Sequence, residues 1–467
     1  MRAGFVSALG LVFGLTLTAW LVTPDLQRPL HADEAVQWSL LTTSEPHSTN
    51  QDRLHGPLLG LVAQPTLKLF SPSLESVSES QLRLVPLGWT LLILLSLPWI
   101  APAGWGLPHP LIFILLPLLA LPAARFIQEW LMASLLVLAG VLAIRAQTST
   151  KPRGWLLAAG VGVGLALACK VSAVTYLGFA LVALYFFGDR SLFKKLFVPG
   201  LVAGVTWAIA QSSFLTDLPA LGTWWLQLGR AFGLATGVTE PALPMVDPLA
   251  WILTGGTILG LVVLRWLLRS ALGGWRSADI DPWLACVVGV YLFHLVLPYK
   301  TPWLLATLDL ACLAILAPRL ILSLRASWGR AVLLGLGVVS LATLPNWASV
   351  ARYDYVETHP DVPRLALALK SLASPAAAAP WVIAVESGHV WPLPFYLREY
   401  RVAYGALPVG TVAQVRLFPG GPGEAPLLAG YRPFPFRMRA GEIWWVYIQD
   451  AQIEAFREAW AKTARDS

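Results

Sequence analysis

Eleven apolar runs, each close to the length of a bilayer-spanning helix, constrain this chain more than any other feature. They lie at 3–23, 84–101, 109–123, 130–146, 154–169, 172–187, 196–213, 248–264, 283–298, 302–318 and 331–347. A helix needs roughly 20 apolar residues to cross the hydrocarbon, fewer where its ends snorkel or the bilayer thins. The run at 109–123 is short and interrupted by proline, and several others hold Gly or Pro, which neighbouring helices can accommodate. The pattern predicts a polytopic α-helical membrane protein with about eleven transmembrane helices.

The basic residues orient these helices. With the N-terminus in the cytoplasm, the short inner segments hold Arg2, then Arg145, Lys151 and Arg153, then Arg190, Lys194 and Lys195. Arg265, Arg269 and Arg276 follow, then Arg319, Arg325 and Arg330. The short outer loops hold Arg125, Lys170, Arg230 and Lys300. This asymmetry is the positive-inside pattern, and it predicts a multi-pass protein of the cell (inner) membrane. The first run follows Arg2 and has no small-residue cleavage site, so a retained helix is expected rather than a removed signal peptide. Composition agrees: 56% of residues are hydrophobic and 13% charged, against about 25% charged in soluble chains. The net charge of +7 then reflects inner loops and anionic lipid rather than nucleic acid. Cys169, Cys286 and Cys312 all sit in apolar runs, with neither disulfide nor zinc spacing.

Two outer segments exceed simple connectors. Residues 24–83 form a large first outer loop with amphipathic, helix-like stretches at about 33–43 and 56–70. Residues 348–467 are long enough for one small domain beside the membrane domain 1–347. There, helix-like 361–373, strand-like 381–386, 411–418 and 443–448, and helix-like 450–464 predict a C-terminal α/β domain outside the membrane. The segment 419–426 is expected as a loop.

This topology gathers separated polar segments at the outer face: His31-Ala32-Asp33-Glu34, His55-Gly56-Pro57, Arg125 to Glu129, Cys169-Lys170, and Pro298 to Trp303. A charge at the helix centre costs about 2.5–3.5 kcal/mol on insertion scales, so charges at helix ends call for a reason. Each has a plain one. Asp33 and Glu34 suit the start of an interfacial helix. Arg125 and Glu129 are spaced for a local ion pair. Lys170 and Lys300 can snorkel to headgroups, and His55 can serve a loop hydrogen bond. Taken together the set supplies more. Carboxylates from separate loops can hold a divalent cation, lysines can neutralise a phosphate, and a carboxylate can take a proton from a hydroxyl.

These residues also carry a resemblance. An Asp-Glu pair after the first helix resembles the GT-C glycosyltransferases. Within them the chain is similar to the protein mannosyltransferase-like family, which includes lipid A aminoarabinose transferases. The closer likeness is to a prokaryotic branch described as flippase-activity-associated. Its His-x-Asp-Glu-Ala-Val motif runs here from His31 to Val36, and its His-Gly-Pro-Leu from His55 to Leu58. Its Arg-Phe segment runs from Arg125 to Glu129, its Pro-Tyr-Lys-Thr-Pro-Trp from Pro298 to Trp303, and its Trp-Pro-Leu-Pro segment from Trp391 to Arg398. Gln128 and Val171 stand where the family commonly has charge.

The resemblance implies a GT-C-like fold and transfer of a sugar from a polyprenyl-phosphate donor, often with a divalent metal, Mg or Mn. It implies Asp33 and Glu34 as the catalytic pair, Asp33 and Glu129 as metal candidates, and Lys300, Lys170 and Arg125 as phosphate contacts. His55, Tyr299, Trp303 and Trp391 are the candidate substrate contacts. Trp391 and Tyr396 can either pack the tail onto the outer loops or line a sugar site. The expected partners are the bilayer, the lipid-linked sugar and a glycan, lipid or protein acceptor. The alternatives are a transporter or flippase-associated protein for lipid-linked glycans and an inactive scaffold. Transporters commonly show internal repeats and midplane charges, whereas here Asp309 and His294 are the ionisable residues set away from helix ends.

Overall fold

A computed structural model of the chain describes residues 26–42, 56–101, 125–188, 191–236, 282–297, 358–372, 381–387, 390–407, 411–420, 427–439 and 441–466, with a few isolated positions besides. The expected helices at 109–123, 248–264, 302–318 and 331–347, and nearly all of 3–23, lie outside the described residues. So do His55, Tyr299, Lys300, Trp303, Asp309 and Cys312.

The helices run in chain order as α1 (Ala32–Thr42), α2 (Leu58–Lys68), α3 (Glu79–Ile100), α4 (Gln128–Thr148), α5 (Pro152–Cys169), α6 (Ala173–Phe187), α7 (Ser191–Gln211), α8 (Ala220–Thr236) and α9 (Pro282–Val296). Six of these meet apolar runs read from the sequence, and α1 and α2 meet the two amphipathic stretches of the first loop. Among the described residues, three helices are long and apolar enough to cross a membrane: Glu79–Leu97, Gln128–Thr148 and Pro152–Cys169. Helices α6 and α7 turn Leu181, Val182, Phe186, Phe197, Leu201 and Val205 outward. Such a surface suits lipid rather than water.

Helix α8 is a departure from the sequence reading, which left 214–247 as a connector. Gly222, Gly229 and Gly233 dilute its apolar run, and it follows a turn in which Ser213, Phe214 and Leu215 all have positive φ.

By packing, the described chain divides into two units. The first comprises Met1–Leu26, Glu45–Thr66 and Arg83–Arg352; the second comprises Gln27–Ser44, Leu67–Leu82 and Tyr353–Ser467. Within the first, α5 packs against both α4 and α7, and α6 against α9. Small residues permit the approach. A Cβ on Gly160 would stand 2.4 Å from the Pro199 carbonyl oxygen, and one on Gly164 2.5 Å from that of Ala203. This Gly-x-x-x-Gly spacing lets helix backbones approach closely where lipid supplies no hydrophobic drive. Ala139, Leu142 and Ala159 form the buried seam between α4 and α5.

In the second unit the tail folds as an α/β domain. Helices α10 (Asp361–Leu372), α11 (the single turn Leu393–Tyr396) and α12 (Ile453–Asp466) accompany strands β1 (Val382–Val385), β2 (Arg401–Tyr404), β3 (Val415–Gly420), β4 (Tyr431–Arg439) and β5 (Glu442–Gln449). The sheet order is β2-β1-β3-β5-β4. β1 runs parallel to β2 and β3, and β5 runs antiparallel to β3 and β4. Phe434 of β4 meets Phe456 and Trp460 of α12 at ring-centroid distances of 5.3 and 5.2 Å. Arg364 of α10 lies 4.2 Å from the Trp460 ring and donates to the Trp460 carbonyl at 2.8 Å. Strands β2 and β4 are additions to the sequence reading. Strand β3 also reaches Gly420, into the segment expected as loop. Pro433 and Pro435 disguise β4, yet they are tolerated because β4 is an edge strand paired on one side.

Candidate functional site

The first group of candidate residues opens α1. The His31 imidazole Nδ1 accepts the Asp33 N–H at 3.1 Å, and the Glu34 carboxylate accepts the His31 N–H at 2.8 Å. This is a reciprocal cap of the kind that closes helix N-termini, with histidine in the usual Ser/Thr place. His31 and Glu34 are buried, whereas the Asp33 side chain is 46% exposed. The same Nδ1 lies 3.8 Å from the Asp33 carboxylate. Because that nitrogen accepts an amide proton, we read the contact as polar rather than as an ion pair. The motif thus separates its two acids: Glu34 holds the turn, and Asp33 presents its carboxylate at the positive end of the helix dipole.

Residues far along the chain hold this turn. The Leu30 N–H donates to the Tyr396 hydroxyl at 2.7 Å, and the Thr358 hydroxyl donates to the Leu30 carbonyl. Trp38 of α1 meets Phe395 edge-on at 5.2 Å and donates through Nε1 to the Leu74 carbonyl at 3.2 Å. The Arg398 guanidinium donates to the carbonyls of Glu75 at 2.6 Å, Val77 at 3.2 Å and Phe395 at 2.6 Å. It also stacks 4.0 Å from the Phe395 ring. Burial lowers its pKa from the ordinary arginine value, partly opposed by Glu79 and Glu399. Of the two roles open for the Trp-Pro-Leu-Pro segment, its Phe395, Tyr396 and Arg398 pack onto first-loop residues. Trp391 is half-buried, and its carbonyl accepts from Arg439 at 2.9 Å.

The second group lies in the other unit. Gln128 and Glu129 open α4 and are both buried. Lys170 follows the end of α5, and its ammonium forms an ion pair with the Glu129 carboxylate; their side chains are 15% and 5% exposed. Gly56 joins the same place: its N–H donates to the Cys169 carbonyl at 2.8 Å, and its own carbonyl accepts from Gln128 Nε2 at 2.9 Å. A Cβ on Gly56 would fall 2.0 Å from the Ala168 carbonyl oxygen, so only glycine fits this strap. Arg125 is half-buried, with its carbonyl accepting the Ile127 N–H at 2.8 Å. Helices α4, α5, α6, α7 and α9 line a partly open apolar cavity of about 300 Å³, bordered by Val137, Ala159, Tyr176, Leu196 and Val287 among others.

The structure therefore joins Glu129 to Lys170, and Asp33 to the His31–Glu34 cap. The metal candidates Asp33 and Glu129 fall in different units, and among the described residues no group of three or more His, Cys, Asp or Glu is gathered to hold a cation. A cation at Glu129 would compete with the Lys170 ammonium, and one at Glu34 with the capping amide. Sequence reasoning gave no role to Thr358 or to Gly56 itself, because each works through a backbone partner remote in sequence.

No family model matches the chain, and no curated protein is significantly similar to it. Its fold is shared with crystal structures of ArnT from Cupriavidus metallidurans. Against the apo form the TM-score is 0.59 at 14% identity; against the form bound to undecaprenyl phosphate it is 0.63 at 14% identity. Both alignments cover 96% of this chain and 98% of the other. The likeness shows the fold: that of a polytopic membrane protein, mostly helical with a small sheet towards the C-terminus.

Proposed function

We propose that this chain is a GT-C-type glycosyltransferase moving a hexose from a polyprenyl-phosphate donor to an acceptor at the outer face of the membrane. The reading carries with it eleven spans, a cytoplasmic N-terminus and extracytoplasmic placement of α1 and the tail. One observation carries the chemistry. Asp33 is a half-exposed carboxylate on a helix turn in which buried Glu34 accepts the His31 N–H and the buried His31 ring accepts the Asp33 N–H. The shared fold with a protein crystallised with undecaprenyl phosphate supports the donor class.

In this reading Asp33 takes the proton of an acceptor hydroxyl as its oxygen attacks the anomeric carbon. The bond from that carbon to the phosphate oxygen breaks, and the phosphate leaves with the electron pair, giving inversion. Lys170, Lys300 and Arg125 are the proposed phosphate contacts, neutralising charge as it develops. Glu129 holds Lys170 oriented until the donor phosphate arrives. His55, Tyr299, Trp303 and Trp391 are the proposed sugar and acceptor contacts, and the apolar cavity suits an isoprenoid segment.

The test is release of undecaprenyl phosphate from undecaprenyl-phosphate-linked glucose, mannose and galactose, by the purified chain in lipid nanodiscs with membrane extract as acceptor source. Asp33→Asn should lower turnover by about a hundredfold or more, the usual scale for a lost general base. Undiminished transfer by folded Asp33→Asn protein sinks the assignment.

A further inference from the structure

Leu30 is fully buried, and its two backbone groups are both taken by side chains of the tail. Tyr396 accepts its N–H at 2.7 Å across 366 positions of sequence, and Thr358 donates to its carbonyl across 328. Buried backbone groups are nearly always paired, usually within secondary structure. Here the pairing is delegated to two hydroxyls that any neighbouring fold could have omitted. The next residue is His31, whose N–H goes to Glu34 and whose ring holds the Asp33 N–H. Two sets of hydrogen bonds, joined by the Leu30–His31 peptide link, therefore run from Tyr396 and Thr358 through the cap to Asp33. Arg398 also borders this helix, its guanidinium 5.8 Å from the Trp38 ring. It fixes the Glu75 and Val77 carbonyls, beside Leu74, which receives the Trp38 indole.

We infer that Tyr396 and Thr358 are positioning residues that set the turn carrying Asp33, so the tail domain determines the geometry of the proposed base without touching substrate. The inference rests on Asp33 acting as that base. A displacement of about 1 Å can cost a hundredfold in a positioned reaction. Loss of one buried hydroxyl that satisfies a backbone group should therefore be felt in turnover more than in donor binding.

The experiment measures two quantities on the full chain in nanodiscs: amide hydrogen exchange across residues 28–42, and kcat and KM for release of undecaprenyl phosphate from undecaprenyl-phosphate-linked hexose. Tyr396→Phe and Thr358→Val should each speed exchange of the amides at 30–35 about tenfold. They should lower kcat per folded molecule about tenfold and leave KM for the donor within twofold. Thr358→Ser, which keeps the hydroxyl, should restore both. Arg364→Met loosens α10 from α12 without touching Leu30, and should lower the unfolding temperature while leaving kcat per folded molecule unchanged.

Unchanged exchange at 30–35 in both hydroxyl variants overturns the clamp. Faster exchange with wild-type kcat overturns its positioning role. A kcat loss as large in Arg364→Met reduces the effect to domain stability and also overturns it. If the wild-type chain releases no undecaprenyl phosphate, the glycosyltransferase reading fails and the catalytic role fails with it, while exchange still judges the clamp.

Discussion

The two groups of candidate residues are held by opposite means. In the membrane unit, Glu129, Lys170 and Gly56 are fixed by charge and by close backbone approach, all at helix ends. In the tail-bearing unit, the His31–Glu34 turn is fixed by neutral hydrogen bonds from side chains hundreds of residues away. A buried ion pair is intolerant of losing one member, because the survivor is an uncompensated charge in low dielectric. A hydroxyl-to-backbone clamp that loses one hydroxyl leaves a neutral buried group unpaired, at about 1–3 kcal/mol, and keeps its fold. The first arrangement should behave as a structural keystone, and the second as an adjustable mount.

The largest expected effect breaks the keystone. Glu129→Gln should destabilise the protein by about 3–5 kcal/mol, since Lys170 is left buried without its counter-charge. Glu129→Gln combined with Lys170→Met should recover part of that loss, because the Lys170 charge is then not stranded. Chemical unfolding in detergent followed by tryptophan fluorescence reads both. Equal losses in the single and double variants would deny the pair its buried character.

Next comes Gly56→Ala. The added methyl meets the Ala168 carbonyl oxygen at 2.0 Å, so the loop or the end of α5 must move. A cost of about 1–3 kcal/mol is expected, as for other overpacked sites. Thermal melts read it, with Gly88→Ala as the control because nothing lies within 4 Å of a Cβ there.

How much of this was legible in the sequence follows the same division. The helices were readable wherever an apolar run was long and unbroken, as at α4, and unreadable at α8, where glycines and Thr223 thinned the pattern. In the tail, β1 and β5 announced themselves by β-branched and aromatic residues. Strand β4 did not, since two prolines and three arginines interrupt its apolar residues. The polar site residues were visible as types and as motifs, but their partners were not. Glu129 was spaced for Arg125, yet a single turn of sequence cannot report that α5 delivers Lys170 to it. Nor can any local pattern pair Tyr396 with Leu30. Periodicity encodes which face of an element is buried, not which remote element covers it.

The cap gives a smaller effect. Glu34→Ala removes the acceptor for the His31 N–H and should cost about 1 kcal/mol, the usual price of a lost helix cap. Glu34→Gln keeps an oxygen there and should cost less. With Gln in place, amide protection at 30–35 should stay near wild type, and so should transfer. If protection holds but transfer disappears, Glu34 has a chemical part beyond the cap, and the separation of the two acids fails.

The smallest effect calibrates the comparison. Lys370 and Glu399 form an ion pair 2.7 Å long on the tail surface, with side chains 61% and 55% exposed. By distance alone it resembles a strong interaction. Water and salt screen it, however, and ordering two long side chains offsets what attraction remains, so exposed pairs give about 0–1 kcal/mol. Lys370→Ala should shift the unfolding midpoint by less than the scatter separating the Gly56→Ala and Gly88→Ala melts. The Glu129 and Lys170 variants should respond little to added salt, whereas the slight effect of Lys370→Ala should vanish in it. A large, salt-resistant loss at Lys370 would mean that burial is not what separates the two pairs.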